Sequence, residues 1–278
     1  MAANRKLLIS AMVCATAIAG LTACSKTNDP AEGSGATKEP AAATSSKAPA
    51  DPFEGLTADQ IAEKGIDTAK SATSVRMAGK IKTDGELTDL DFAVDNKGAC
   101  TGKMGVEGGT AELLQAANVM YMKGNDAFWT AIIKEDGASD EEAAGAAELF
   151  KGRWMKMPAE VKSEDGMDEI CDLEAMIESM DEDKSDRKGM TKGPDAEVNG
   201  QPAATVVKKD PGGETTTVYV AKEGKPYLLK IHVVGGDEPG TMVFSDYDKP
   251  VNAVAPPADE VLDMEKLGEA GDSGAGAA

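Results

Sequence analysis

Apolar and polar residues alternate in two separate stretches of the chain, and this pattern predicts two antiparallel β-meanders. The first stretch extends from Val75 to Met122 and holds four or five strands, with turns at Asp84-Gly85 and Gly108-Gly109. Its last strand, 119–122, is apolar at every position, so we expect cover on both of its sides. The second meander follows Gly193 and comprises strands at 204–208, 215–220, 227–233 and 241–247.

Helices are predicted before and between the two meanders. Thr57 and Ser139 each begin a capping box, and apolar residues at helical spacing follow both. A third helix is predicted over 168–180, with one apolar stripe formed by Ile170, Leu173, Ile177 and Met180. The order helix, meander, helices, meander predicts an α+β fold, with helices on one face of an antiparallel sheet. Both meanders could belong to one curved sheet.

The N-terminus has the pattern of an export signal. Arg5 and Lys6 precede an uncharged apolar run over 7–20, which is typical of a secretory signal peptide. The run ends in Leu21-Thr22-Ala23-Cys24, which resembles the lipobox of bacterial lipoproteins. That resemblance implies cleavage before Cys24 and attachment of fatty acyl chains, such as palmitate, to this cysteine. The alternative is an ordinary secretory peptide followed by an incidental cysteine.

These features divide the chain into four parts. Residues 1–23 are the predicted signal peptide, and 24–52 form a tether rich in small and polar residues. Residues 53–264 form the folded domain, and 265–278 a tail that, like the tether, is predicted to be disordered. Two acyl chains hold a protein stably at a membrane, so we expect an extracytoplasmic protein anchored to the outer face of the cell membrane.

The charge of the chain limits its partners. The full sequence carries a net charge of −20, and loss of Arg5 and Lys6 with the signal peptide makes it −22. Such a charge argues against binding of nucleic acid, because its phosphates need Lys and Arg partners. It also argues against electrostatic attraction to anionic lipid head groups. We expect a monomer that self-repels in solution.

Two cysteines remain after cleavage and acylation, Cys100 and Cys171. In an exported protein this pair predicts a disulfide that joins the third helix to a strand of the first meander. Two free thiols, or a catalytic one, are the alternatives. No nucleotide-binding loop or G-x-S-x-G elbow occurs, and His232 is the single histidine. We therefore expect no enzyme activity, no cofactor and no metal site.

Several blocks of the domain resemble a known group of lipoproteins. They are the lipobox with its tether, the opening helix, Ser74-Val75-Arg76-Met77, 95–102, 119–123, 128–129, 171–173, 244–251 and 255–257. The chain resembles the LolA-like superfamily, and most closely the actinobacterial lipoproteins of the LppX/LprG type. The resemblance implies a half-barrel, a strongly curved antiparallel sheet with helices on its concave face. It also implies an apolar cavity for acyl chains between sheet and helices.

Methionine is the unusual apolar residue of this domain. Methionine side chains are unbranched and adapt to varied apolar partners, so they suit a cavity wall, although they also fill ordinary cores. Trp129 and Trp154 flank the alanine-rich helix and fit either a lid or the core. The candidates for a cavity lining are Met77, Ile81, Leu90, Phe92, Met120, Met122, Leu229, Ile231 and Met242.

Two functions fit this sequence. The first is a membrane-anchored lipoprotein that binds a lipid or another apolar small molecule in a cavity and carries it across the cell envelope. The second is a sensory or protein-interaction lipoprotein whose sheet is filled by its own side chains. Fold alone does not decide between them.

Overall fold

The computed structural model describes residues 51–83, 85–106, 108–135, 137–157, 170–180, 187–264 and 266. These residues fall within one structural unit, which extends over 49–278. The predicted signal peptide, Cys24, the tether up to residue 50 and, apart from residue 266, the predicted tail lie outside the described residues.

The first predicted meander is confirmed. Its five strands are consecutive antiparallel neighbours in the sheet. Thr83 pairs with Glu86 across the first turn, and Gly85 has a φ of 90°, a conformation that glycine adopts at little cost. The strands are β1 (Ser74–Thr83), β2 (Glu86–Asp95), β3 (Cys100–Val106), β4 (Gly109–Ala116) and β5 (Val119–Gly124).

The second meander joins the first in a single sheet. Strand β12 pairs antiparallel with β1, so that Phe244 lies opposite Met77 and Met242 lies opposite Gly79. The remaining strands are β6 (Trp154–Lys156), β7 (Thr191–Lys192), β8 (Ala196–Val198), β9 (Gln201–Lys209), β10 (Thr215–Ala221), β11 (Leu228–Val234), β12 (Gly240–Ser245) and β13 (Val261–Asp263). Among the described strand pairs, only β13 with β6 is parallel, so the sheet is antiparallel except at this edge.

The described helices are α1 (Ala58–Lys70), α2 (Asp126–Glu135), α3 (Asp140–Phe150) and α4 (Leu173–Ser179), with a 3₁₀ turn at Ala258–Glu260. Helices α1 and α3 begin where the sequence predicts capping residues. Both predicted capping boxes are present, at Thr57 with Gln60 and at Ser139 with Glu142. Within the predicted helix over 168–180, Ile170 is helical, and α4 begins at Leu173 after its capping residue Asp172.

The thirteen described strands must curve to form the core they share with the helices. A flat sheet of twelve neighbouring strands would be about 50 Å wide. Nevertheless, buried residues of ten strands and four helices form one continuous apolar cluster, from Met155 in β6 to Val206 in β9. Helices α1, α2 and α4 contribute Ile61, Trp129 and Ile177 to that same cluster. The sheet therefore wraps around its helices as an open, curved layer of an α+β fold.

Two local predictions were wrong: that Leu229 of β11 lines the cavity, and that β5 is covered on both of its faces. Tyr219 pairs with Lys230, but the next residue, Val220, pairs with Leu228, so Leu229 is the extra residue of a β-bulge. The bulge reverses the alternation of β11 and turns Leu229 away from the main core, into a small second cluster on the other side of the sheet. Strand β5 is buried on one face only, since Tyr121 on its other face is partly exposed.

The outer face of β1 to β4 is covered with charged pairs between neighbouring strands. Arg76 donates two hydrogen bonds to the carboxylate of Asp91, over 2.8 and 2.7 Å. Lys80 pairs with Asp89, and the Nζ of Lys103 lies 3.1 Å from Glu112 Oε1. Signs alternate from strand to strand, so this face is balanced in charge and exposed to water.

Candidate apolar ligand site

An apolar pocket of about 340 Å³ lies between helix α4 and the inner face of the sheet. This volume is within the range that small-molecule sites occupy, roughly 300–1,000 Å³. The lining residues are apolar except for one hydroxyl, and half of them are methionines. They are Met77, Leu90, Phe92, Met104, Ile170, Ala175, Met176, Ser179, Met180 and Met242.

The floor of the pocket comes from four adjacent strands. Met77 lies opposite Phe92, and Leu90 lies opposite Met104, so alternate residues of β1, β2 and β3 face the same side. Gly79 is the β1 residue that lies between Leu90 and Met242 in the register. A Cβ at this position would lie 2.0 Å from the Thr241 carbonyl oxygen, so glycine allows the backbone of β12 to approach β1 closely.

Helix α4 forms the opposite wall. Asp172 Oδ1 accepts hydrogen bonds from the backbone N–H groups of Glu174 and Ala175, over 2.9 and 3.1 Å, and this caps the helix. Leu173 and Ile177 are buried in the main core, whereas Met176 and Met180 face the pocket. One stripe of the helix therefore packs in the core, and the adjacent stripe lines the pocket.

The predicted disulfide holds this wall to the floor. Cys171 precedes α4 and is bonded to Cys100 at the start of β3, with the two Cα atoms 5.3 Å apart. Both cysteines are buried. The bond closes a sequence separation of 71 residues.

A second, larger cleft adjoins the pocket. It has a volume of about 890 Å³, and Met180 lines both spaces. Its apolar surface includes Ala62 and Ile66 of α1 together with Val218, Leu228 and Ile231 of the sheet. Its charged lining residues are Arg187, Lys208, Asp210, Glu214, Asp237 and Glu238. Met180 thus lines both an apolar pocket and a cleft with a charged rim.

The structure brings together some of the residues that the sequence proposed as a lining. Met77, Leu90, Phe92 and Met242 line the pocket, and Ile231 lines the larger cleft. Met120 and Met122 are instead buried core residues of β5. Ile81 lines neither space, and Leu229 lies on the other side of the sheet because of the bulge in β11.

Other lining residues were not predicted as a site. Met176 lies beside the helical stripe that the sequence assigned to the core, and Met104 was noted only as one of many methionines. The one signal in the sequence that could have identified them as lining residues is that both are methionines. Trp129 belongs to the core, where its ring meets those of Phe128 and Phe150 at centroid distances of 5.0 and 5.3 Å. Trp154 is only partly buried, in the short strand β6.

The charged groups with displaced pKa values lie away from the pocket. The hydrogen bonds from Arg76 lower the pKa of the Asp91 carboxyl on the outer face. The pKa of Asp248 is well below its usual range, chiefly because Lys225, and then Tyr227, donate to its carboxylate. Within the described ranges, no cluster of three or more His, Cys, Asp or Glu side chains could hold a metal ion. His232 is partly exposed on β11.

None of the helices in the described part of the chain combines the length and the apolar character needed to cross a membrane.

Comparisons with known proteins give matches among solved structures. The chain is similar to the lipoprotein LppX of Mycobacterium tuberculosis, with 15% identity, coverage of 71% of this chain and 98% of that chain, and a TM-score of 0.46. It is similar to LprF of Mycobacterium bovis, with 15% identity, coverage of 72% and 97%, and a TM-score of 0.45. A third match is an uncharacterized conserved protein of Thermus thermophilus, with 8% identity, coverage of 74% and 98%, and a TM-score of 0.33.

No family model matches the sequence, and no curated protein matches it. LppX, which gives its name to the group that the sequence resembles, is thus among these structural matches.

Proposed function

We propose that this protein is an extracytoplasmic lipoprotein that binds the hydrocarbon part of an amphiphile in the pocket under α4. The observation that carries the proposal is the lining itself, in which five methionines surround a space of about 340 Å³. A pocket of this composition gains free energy by burying alkyl groups, at about 0.8 kcal/mol for each CH₂. It offers little to a polar ligand, since Ser179 carries its single side-chain hydroxyl.

Anchoring through Cys24 would place this pocket within reach of a membrane that supplies the ligand. A flexible tether of the length predicted here has an r.m.s. span of roughly 30 Å, comparable to the thickness of a bilayer's hydrocarbon core. A tethered domain can therefore sample the membrane surface without inserting into it. Carriage of the ligand across the envelope is the corresponding cellular role.

Native mass spectrometry of the mature polypeptide with Cys24→Ser, residues 24–278, tests the binding step. This polypeptide contains every described residue and carries no acyl chain of its own. We expect co-purifying amphiphile, or uptake of added dodecyl maltoside at a stoichiometry of one. A protein that is repeatedly empty and takes up nothing contradicts the proposal, and supports a protein-interaction role with a filled core.

A pocket-filling variant shows whether the ligand occupies this space. Ala175 lines the pocket, so Ala175→Phe places a ring where the ligand would lie, and we expect uptake to be lost. Ala144 is an exposed residue of α3, and Ala144→Phe is the matched control that should keep normal uptake. Equal uptake by both variants would move the ligand to another place on the protein.

A further inference from the structure

Helix α2 fills the inner face of the sheet on one side of the pocket under α4. It packs directly on β4 and β5, because a glycine in each strand leaves no side chain in between. A Cβ at Gly109 would lie 2.5 Å from Phe128 Cα, and a Cβ at Gly124 would lie 2.9 Å from Trp129 Nε1. Phe128 and Trp129 are each only 4% exposed. This helix and these two strands therefore leave no room for a hydrocarbon chain between them.

Helix α1 packs as closely on the other side of the pocket. A Cβ at Gly65 would lie 3.0 Å from Val220 Cγ2 of β10. Ile61 of α1 and Val206 of β9 are fully buried in the same core. The pocket under α4 thus lies over the middle strands β3, β2, β1 and β12, between two flanks that are already filled.

The volume of the pocket limits how much hydrocarbon it can hold. A protein cavity of about 150 Å³ binds one benzene molecule, which corresponds to about 25 Å³ for each carbon atom. At that ratio, the pocket of about 340 Å³ holds about a dozen carbon atoms. A lipid with two long acyl chains has about 30 chain carbons and would need roughly 750 Å³. The pocket therefore has room for one alkyl chain and not for two.

The larger cleft is a poor place for a second alkyl chain. Its volume of about 890 Å³ would be sufficient, but six of its lining residues are charged. The lining of the pocket under α4 contains no charged residue. Hydrocarbon placed against charged groups displaces their water, which costs free energy. Burial of an alkyl chain is therefore favoured in the pocket and opposed in the cleft.

We propose that the ligand is a single-chain amphiphile, whose one alkyl chain of about a dozen carbons fills the pocket under α4. This inference depends on the proposed function and adds the chemical class of the ligand. Ser179 carries the single side-chain hydroxyl of the lining, so the head group stays outside in water. Lipids with two or more long acyl chains are excluded by volume.

A series of alkyl maltosides tests the limit on chain length. Octyl, decyl, dodecyl and tetradecyl maltoside are each titrated below the micelle concentration into the mature polypeptide with Cys24→Ser, residues 24–278. Isothermal titration calorimetry measures each affinity. We expect the affinity to rise about fourfold for each added CH₂ from octyl to dodecyl. From dodecyl to tetradecyl the gain should fall far short of the roughly 16-fold that two more buried CH₂ groups would add, because the end of the longer chain stays in water.

Two phospholipids with the same head group test the number of chains. The same polypeptide is mixed with dodecanoyl lysophosphatidylcholine, which has one chain, or with vesicles of didodecanoyl phosphatidylcholine, which has two. Native mass spectrometry then counts the bound lipids. We expect one molecule of the lysolipid on each protein and no extraction of the two-chain lipid, because its second chain would have to leave the bilayer for water.

An enlarged pocket should accept a longer alkyl chain. Met176→Ala removes a thioether from the wall of the pocket, so the ratio of tetradecyl to dodecyl affinity should rise about fourfold. Both affinities are measured in the same variant, so a loss of stability does not imitate this effect. Met157 is partly buried and lines neither the pocket nor the cleft. Met157→Ala is therefore the matched control and should leave the ratio unchanged.

The outcomes distinguish the two proposals. An affinity that keeps rising fourfold for each CH₂ up to tetradecyl, or extraction of the two-chain lipid, overturns the single-chain limit and leaves the apolar site intact. An unchanged ratio in the Met176 variant, or an equal change in both variants, also overturns it, because the volume of the pocket would then not set the chain length. Failure of every maltoside and of the lysolipid to bind contradicts the proposed function itself.

Discussion

Cys100 at the start of β3 and Cys171 just before α4 are covalently bonded, with their Cα atoms 5.3 Å apart. Helix α4 has only seven residues, too few to be stable by itself. It is held by Leu173 and Ile177 in the core and by this bond. The disulfide therefore fixes the position of Met176 and Met180 above the sheet.

Removal of this bond should open the pocket before it unfolds the protein. For Cys100→Ala with Cys171→Ala, the chain-entropy model predicts a loss of about 4 kcal/mol in the free energy of unfolding. We expect uptake of dodecyl maltoside to be lost under conditions where circular dichroism still reports a folded sheet. Calorimetry and chemical denaturation of the same sample provide the two measurements.

A milder change in the same wall is the control for this experiment. Asp172→Ala removes the cap of α4 and should cost about 1 kcal/mol, with the disulfide intact. Uptake should then weaken without disappearing. If the double cysteine variant binds as tightly as the wild type, the bond does not position the wall.

Gly102 allows Phe92 to lie flat against β3 as part of the pocket floor. A Cβ at position 102 would lie 2.1 Å from Phe92 Cδ1, so Gly102→Ala forces the ring out of its place. Overpacking of this kind costs about 1–3 kcal/mol. We expect lower stability in urea and a changed affinity for dodecyl maltoside.

Gly105 on the same strand is the matched control. A Cβ there would lie 3.4 Å from the Cβ of Asp89, an ordinary contact, so Gly105→Ala should be tolerated. Equal destabilisation by both substitutions would mean that loss of glycine in β3 matters, and that the contact with Phe92 does not.

The sequence predicted the layers of this fold because its alternation is regular where strands are regular. Met77 and Phe92 were both predicted to line a cavity inside the sheet, and the register pairs them. Both capping boxes were recognisable because each needs only two residues three positions apart. The union of the two meanders through β1 and β12 was an open possibility, since no local pattern specifies which distant strands pair.

The candidate site was less predictable, because it depends on interruptions of those patterns. The bulge at Leu229 shifts the alternation by one residue, and no glycine or proline beside it indicates the shift. Met120 and Met176 are the same residue type, yet one fills the core and the other lines the pocket. That difference depends on what packs opposite each side chain, which one chain's periodicity cannot reveal.

Because of the bulge, Leu229 and Ile231 lie on opposite sides of the sheet, so their substitution should have different effects. Leu229 is buried in the small cluster on the outer side of the sheet, so Leu229→Ala should cost about 2–4 kcal/mol and leave amphiphile affinity unchanged. Ile231 is partly buried and lines the cleft, so Ile231→Ala should cost less stability and change the affinity. Urea denaturation and calorimetry measure both effects. A change in affinity for the Leu229 variant would show that this residue faces the ligand.

The final prediction concerns Asp248, which fastens the loop after β12 to the start of β1. Its carboxylate accepts from the Thr73 N–H over 2.9 Å, from Lys225 Nζ over 2.8 Å and from the Tyr227 hydroxyl over 2.6 Å. Its φ of 60° is left-handed, a conformation that asparagine also tolerates. Asp248→Asn therefore tests the charge without straining the backbone.

The effect of this substitution should depend on pH in a defined direction. The pKa of the Asp248 carboxyl is lowered in the folded protein, so its contribution is present above the unfolded pKa of about 3.9 and is lost as pH falls further. The pKa of Lys225 is raised by the same contact, so that contribution is lost only at strongly alkaline pH. We expect Asp248→Asn to cost about 1 kcal/mol at neutral pH, since the site is partly exposed. Urea denaturation of both proteins should show this gap constant from about pH 5 to 9 and narrowing below about pH 4. A gap that widens as the solution is acidified would mean that the ionised carboxylate does not stabilise the fold.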